Sequence, residues 1–411
     1  MGAPRVALFT DSYHEANGVA RTAHSFEAFA ASRERPLLVV QGGRVTQLVE
    51  SGSVARLELN RWPRTSVALE HDLWFDVSLW RHARRVAAAL RWFRPDVLHF
   101  TGPSDIGQLG MLLGYRLGVP MVGSWHTNLH EYASRRLLHG FKTISDGTRK
   151  RIGDAVESRA LAMALLFYTL PPRVVLAPNQ EWKSIIERRT GKPTFVMTRG
   201  VDTDLFTPVR RRRTDVGTVK VGYVGRLSAE KNVRALAAVD ASFKAAGIAN
   251  VRFIVVGDGA ERQWLQEHMP DAEFTGVLRG DPLADAYADL DLFVFPSETE
   301  TVGNVVLEAM ASGVPVVAMA YGGTKFVAAS PASAALARSE RELIEFATRL
   351  VRDGARRRAM GVAARAAALE RSWAAVFDVV YEAYAAAIAR DTGGTLPAGE
   401  SIVTVAEQQS A

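Results

Sequence analysis

The 411-residue chain predicts an α/β fold of two doubly wound Rossmann-like domains facing a cleft. Three observations carry that expectation. Short apolar runs alternate with helical stretches, the pattern of parallel strands covered on both faces. The alternation restarts at Lys220-Val-Gly-Tyr-Val-Gly. Between the two series lies a polar, turn-rich stretch, Arg199-Gly-Val-Asp-Thr-Asp-Leu-Phe-Thr-Pro, followed by Arg210 to Arg213. Ligands of such sheets bind beyond the C-terminal ends of the strands, so the loops at those ends are where chemistry is sought.

In chain order, Arg5-Val-Ala-Leu-Phe-Thr reads as a buried strand, followed by a helix from about Gly18 to Ser32 and the strand Pro36-Leu-Leu-Val-Val. A helix over Leu79–Phe93 leads into Pro95-Asp-Val-Leu-His-Phe, and one over Ile106–Leu117 leads into Pro120-Met-Val-Gly-Ser-Trp. Arg173-Val-Val-Leu-Ala-Pro is a further strand. In the second series, strand 220–225 precedes a helix over Asn232–Ala246, strand Val251–Val256, helix Glu261–His268, strand Glu273-Phe-Thr-Gly, helix Leu283–Ala288 and strand Leu292–Phe295. A last helix is expected from about Trp373 to Ala387. The tail 391–411, rich in Gly, Ser, Gln and Glu, reads as disordered.

Composition narrows the class. The chain is 48% hydrophobic and 23% charged, ordinary for a globular protein with ample core. It has no cysteine, which excludes disulfides, thiolate metal sites and a cysteine nucleophile, and fits a reducing cytoplasm. The N-terminus enters a strand almost at once, so no signal peptide is expected. The longest apolar candidate, Ala160 to Tyr168, is too short to span a membrane. A net charge of +6 suits anionic partners. Without an aromatic-interleaved basic strand, nucleic acid is not expected among them.

The most informative segment is Pro296-Ser-Glu-Thr-Glu-Thr-Val-Gly-Asn-Val-Val-Leu-Glu-Ala-Met-Ala-Ser-Gly-Val-Pro-Val-Val-Ala. It follows the strand Leu292–Phe295, has helical composition from Val305 to Ala311, and closes at Ser312-Gly313. Glu300 is expected at the helix entrance and Glu308 two turns along. Eight residues at 1.5 Å each make about 12 Å of helix. That ruler fits a ligand with hydroxyls at both ends and an anionic middle. Amides at a helix start attract phosphate. Two unrelated glutamates on a surface helix is the plainer reading of E-x7-E taken alone.

The whole block resembles the E-x7-E signature of glycosyltransferase family 4, retaining enzymes of the GT-B fold. Gly225-Arg226-Leu-Ser-Ala-Glu-Lys231-Asn232 is similar, residue for residue, to the family's G-R-L-x-x-E-K-N donor-phosphate motif. On the residues alone, Arg226 offers a planar fork and Lys231 a point charge at a strand end, where fixed cations stabilise a departing nucleoside diphosphate. A solvated basic loop is the bland alternative. The resemblance implies that Glu300 grips sugar hydroxyls, Glu308 the ribose, and Arg226 and Lys231 the diphosphate, with amides near Gly303, Asn304 and Val305. It also implies that the last helix, over 373–390, returns to the first domain. Domains are thus expected over 1–198 and 219–372, joined by a linker over 199–218.

Further motifs follow from the same likeness. His126, in Trp125-His126-Thr-Asn-Leu-His130, matches a family histidine that contacts donor sugar and phosphate. His126 and His130 have the i,i+4 spacing of metal ligands, with Glu131 nearby, but no third ligand is evident, and no metal or other cofactor is expected. Asn17-Gly18-Val19 resembles the family's glycine loop, with Gly18 near the donor phosphate. Asp11, Tyr13 and His14 either face the acceptor or scaffold that loop. Val255-Val-Gly-Asp-Gly-Ala lacks the third glycine of a dinucleotide fingerprint. Val277 and Leu278, in Thr275-Gly-Val-Leu-Arg279, are expected beside the nucleobase. Asp289-Leu-Asp291 has metal-motif spacing but reads as a helix end and a strand start. Arg135, Arg136, Lys142, Arg149, Lys150 and Arg151 beside an apolar stretch suit either a peripheral contact with an anionic membrane surface or a solvated face. The segment after Tyr321-Gly-Gly-Thr-Lys departs from the family pattern, which leaves the donor open.

The resemblance implies a retaining, metal-independent hexosyltransferase. The first choice of reaction is mannosyl transfer from GDP-mannose to a lipid-linked or glycan acceptor, and a UDP-sugar donor is the second. A catalytically silent nucleotide-sugar-binding protein and a GT-B epimerase or phosphorylase are the readings from other classes. Retention in this family needs no protein nucleophile, and none is evident.

Overall fold

The structure, a computed structural model, describes residues 2–10, 12–14, 18–68, 74–125, 159, 162–163, 165–212, 217–300 and 303–391. The chain divides into two compact units, Met1–Thr198 with the chain from Phe377 onward, and Arg199–Val376.

The first unit is built on an eight-stranded sheet. Its strands are β1 (Val6–Thr10), β2 (Leu37–Gly43), β3 (Gln47–Ser51), β4 (Val54–Asn60), β7 (Val97–Phe100), β8 (Met121–Ser124), β9 (Val174–Ala177) and β10 (Thr194–Val196). They run in the order β10-β9-β8-β7-β1-β2-β4-β3. Every pairing is parallel except β3 with β4. The central strands are buried along their whole length, as continuous apolar runs such as Val6-Ala-Leu-Phe require of a sheet covered on both faces. β5 (Ser66–Ala68) and β6 (Trp74–Asp76) form a separate hairpin within the excursion that follows β4.

The helix Gly18–Ser32 packs Phe26 and Phe29 against Phe377 of the last helix, with ring centroids 4.9 and 5.4 Å apart. That last helix, Trp373–Asp391, continues the chain of the second unit at its start and belongs to the first unit from Phe377. Its Tyr384 hydroxyl lies 2.7 Å from His99 Nδ1, and His99 Nε2 lies 2.7 Å from Ser124 Oγ. Among the described residues no helix is long and apolar enough to cross a membrane.

The second unit holds six strands, β11 (Val219–Val224), β12 (Val251–Val256), β13 (Glu273–Gly276), β14 (Leu292–Phe295), β15 (Val316–Met319) and β16 (Ala334–Ala337). Their order is β13-β12-β11-β14-β15-β16, and every pairing is parallel. This is a doubly wound sheet whose strand order reverses between β11 and β14. A crevice opens at such a reversal because the flanking connections leave for opposite faces. Tyr223, Phe253, Phe293, Phe295 and Tyr287 fill the core beneath it.

Several helix bounds differ from the expectation. Residues Leu79–His82 form a 3-10 turn before the α-helix Ala83–Phe93. Asn232 does not open a helix; at φ 50 it closes the 3-10 turn Ala229–Lys231, and the α-helix runs Ala235–Ala245. Asparagine is among the few side chains that tolerate this left-handed backbone. The helix expected over Val305–Ala311 runs Asn304–Ala311, and Glu300 sits in the loop before it. The polar stretch from Arg199 packs into the second unit. Val201 bridges to Ser372, and the Arg365 guanidinium donates to the carbonyls of Thr203, Phe206 and Ala311. His126, His130, Glu131, Asp11, Asn17, the basic stretch 135–151 and the tail from 392 lie outside the described residues.

Candidate active site

The loops that follow β11 and β14 meet at the strand-order reversal. After Val224 the chain passes Gly225 and Arg226. The Tyr223 hydroxyl donates to the Arg226 carbonyl at 3.0 Å, fixing the backbone there. Burial, with the negative charge of Glu300 second, raises the Tyr223 hydroxyl far above its ordinary pKa, so it stays a donor. The Arg226 side chain is exposed and has no partner among the described residues. The left-handed Asn232 ends the turn that carries Lys231.

Lys231 Nζ donates to Glu300 Oε1 at 2.7 Å, the two side chains being 19% and 18% exposed. This bond ties the β11 loop to the β14 loop. Thr299 adds a second tie, its hydroxyl donating to the Glu230 carbonyl at 3.1 Å. A third loop, after β15, supports Glu300 from behind: the Gly323 amide donates to the Glu300 carbonyl at 2.6 Å. Gly322 sits at φ 54, and a β-carbon there would stand 2.1 Å from that same carbonyl oxygen. Only glycine fits both constraints.

The helix Asn304–Ala311 starts from Gly303, whose φ of 82 makes it a left-handed N-cap without a side chain. The carbonyl of Gly303 accepts from Val306 and Leu307, while the amides of Asn304 and Val305 donate to no group among the described residues. Bare first-turn amides concentrate the positive end of the helix dipole. One turn further on, Glu308 is 5% exposed and accepts a hydrogen bond from the buried Tyr287 hydroxyl at 3.1 Å. Glu300 and Glu308 thus differ in kind, one in a loop on a cation and the other deep in a helix flank.

At the end of β13, Val277 is 61% exposed while Leu278 packs partly against the core. Asp289 caps the helix Gly280–Ala288, and Asp291 accepts the Lys220 amide and the Arg211 guanidinium, so the Asp-x-Asp pair is a helix end and a strand start. In the first unit, Gly18 opens its helix and its carbonyl accepts from Thr22. Tyr13 is buried at 5% exposure and hydrogen-bonds Glu27; burial first, then Glu27, pushes its hydroxyl up to about 12. That residue scaffolds its loop. Tyr287, Thr299 and Gly322 carry no local signal in the sequence, because their partners Glu308, Glu230 and Glu300 lie 21 to 69 residues away; Tyr223 reads only as a strand residue, although its hydroxyl reaches Arg226 in the loop that follows.

Residues 16–205 match the family model described as Glycosyltransferase Family 4, and residues 218–353 match Glycosyl transferases group 1. A GDP-mannose-dependent alpha-mannosyltransferase of Mycobacterium tuberculosis is 34% identical over 318 residues, covering 75% of this chain and 77% of that protein. The chain belongs to glycosyltransferase family 4. This glycosyltransferase is also 32% identical over 330 residues to a GDP-mannose-dependent alpha-mannosyltransferase of Corynebacterium glutamicum, covering 78% and 73%. Its fold matches a sucrose-phosphate synthase of Thermosynechococcus elongatus with a TM-score of 0.64 at 20% identity, over 94% of this chain and all of the other. Two Rossmann-like units of the GT-B class are what that likeness shares with the expectation from the sequence.

Proposed function

We propose that this glycosyltransferase moves a mannosyl group from GDP-mannose to a lipid-linked or glycan acceptor, with retention at the anomeric carbon and without a metal. The observation that carries the reading is the Lys231–Glu300 pair at the strand-order reversal, beside the bare amides of Asn304 and Val305. A nucleotide sugar has complementary parts, a diphosphate and a hydroxylated ring. Lys231 and the exposed Arg226 suit the first. Glu300 suits the second, and Glu308 with Tyr287 suits the ribose. Val277 and Leu278 would meet the base through their backbone. The names of the mycobacterial and corynebacterial relatives favour GDP-mannose as the donor.

In the chemical step the acceptor oxygen bonds to the anomeric carbon on the face from which the phosphate departs. The bond from that carbon to the phosphate oxygen breaks, and its electron pair leaves with GDP. The acceptor's proton passes to the departing phosphate oxygen. Charge builds on GDP as the bond breaks, and cations already in place lower that barrier. In the free protein Lys231 is neutralised by Glu300. Donor binding exchanges this bond for lysine–phosphate and carboxylate–hydroxyl contacts, so each group is freed for the substrate by the other's capture.

A thermal-shift panel of GDP, UDP, GDP-mannose and UDP-glucose tests the donor. GDP and GDP-mannose should raise the melting midpoint most. No shift with any of the four would overturn the site, and a larger shift with the uridine pair would move the donor to a UDP-sugar.

A further inference from the structure

A second polar cluster gathers on the first unit, at the C-terminal ends of β1, β2 and β4. These strands are neighbours; Thr10 pairs with Gln41, and Gln41 with Glu58. His14, just beyond β1, places Nε2 3.4 Å from Gln41 Nε2 and 3.7 Å from Glu58 Oε1. Gln41 is 3% exposed and its Oε1 has no hydrogen-bond partner among the described residues. The Glu58 carboxylate is held in place by the Arg44 amide at 3.0 Å and the Gln47 side-chain amide at 3.1 Å.

The backbone is shaped around this group. β2 ends in Gly42-Gly43, and a β-carbon on Gly43 would stand 1.8 Å from Glu58 Oε1. The missing side chain leaves the carboxylate room to lie across the strand end beside His14. The loop is also fixed from behind, since His24 Nε2 lies 2.8 Å from the Tyr13 carbonyl and the Tyr13 hydroxyl donates to Glu27. The His14 side chain, 54% exposed, is the accessible tip of an otherwise closed framework.

We infer that His14 binds a hydroxyl of a sugar or polyol headgroup on the acceptor, with Gln41 and Glu58 as positioning residues. The inference rests on the transfer reaction proposed above. An imidazole beside an amide and a carboxylate offers both donors and acceptors within a few ångströms, which is what neighbouring hydroxyls require. A phosphate in the same place would meet the Glu58 carboxylate and be repelled. The cluster therefore selects uncharged hydroxylated groups over anionic ones. Its strands end at the sheet edge where ligands of doubly wound folds bind.

The test measures steady-state transfer from GDP-mannose to octyl α-D-mannopyranoside and octyl β-D-glucopyranoside. It also measures the slow hydrolysis of GDP-mannose without acceptor. His14→Ala should raise the acceptor KM about tenfold, the loss of roughly one hydrogen bond, with the GDP-mannose KM and the hydrolysis rate unchanged. His14→Gln should recover most of the loss. Gly43→Ala, which displaces the Glu58 carboxylate without removing it, should behave like His14→Ala; if it lowers the melting midpoint, the half-exposed His14 variants decide. An unchanged acceptor KM in His14→Ala, or equal rises in acceptor and donor KM, would overturn the assignment. So would transfer to neither glycoside while GDP-mannose still stabilises the protein. Failure of GDP-mannose to bind the unaltered enzyme would instead count against the donor reading.

Discussion

At the residue scale, the bond between Lys231 and Glu300 separates two roles that are usually tested together. Glu300→Gln keeps the shape of the side chain and removes its charge. Transfer should fall about a hundredfold, the scale of losing one preorganised polar contact to the reacting group. GDP should bind at least as tightly as before, because Lys231 no longer has a carboxylate to leave. Titration calorimetry with GDP beside a turnover assay distinguishes this from general damage, in which both would weaken. His99 supplies a second residue-scale prediction. Complete burial pushes its pKa down to about 3. The unfolded chain therefore binds a proton near pH 6.5 that the folded chain refuses. Stability is retained above that pH and lost as pH falls through the window from about 6.5 to 3, by at most about 1.4 kcal/mol per pH unit from this group. His99→Gln should flatten that part of a plot of melting midpoint against pH. An unaltered slope would show that other groups set it.

At the element scale, the loop after β15 acts on the chemistry by holding the backbone of Glu300. Gly322→Ala forces a side chain into a left-handed residue and against the Glu300 carbonyl, a strain of about 1–3 kcal/mol. Transfer should drop in parallel with Glu300 variants although no charged group is altered. A variant with the normal turnover would detach this loop from the site. The same element marks the limit of what the sequence made legible. The strands β1, β7, β11, β12 and β14 stood out because buried parallel strands are unbroken apolar runs. β16, Ala334-Ala-Leu-Ala, carries no such signature, and its helical composition hides it. Asn232 reads as a helix start in the sequence because local propensity does not register the left-handed backbone with which it closes the turn Ala229–Lys231. Glu300 and Lys231 were recognisable through their motifs. Their mutual bond was not, because motifs name residues and leave out the contacts a protein makes before its substrate arrives.

At the scale of the whole molecule, the proposed donor site draws on three separate loops of the second unit. GDP should accordingly protect residues 225–231, 303–308 and 321–325 from amide hydrogen exchange as one set, and leave β2 and β4 of the first unit unprotected; protection confined to a single loop would break the site apart. The division into two similar halves was legible because the strand pattern visibly restarts. Packing of the 199–212 stretch was not, since its arginines look like solvated linker until Asp281, Asp285 and Asp291 are found opposite them. The last helix has a consequence for biosynthesis. Phe26, Phe29 and His99 wait for Phe377 and Tyr384, which are translated nearly 180 residues after Thr198. At cellular elongation rates of about 5–20 residues per second, the nascent N-terminal half spends on the order of 10–40 s with that aromatic surface uncovered.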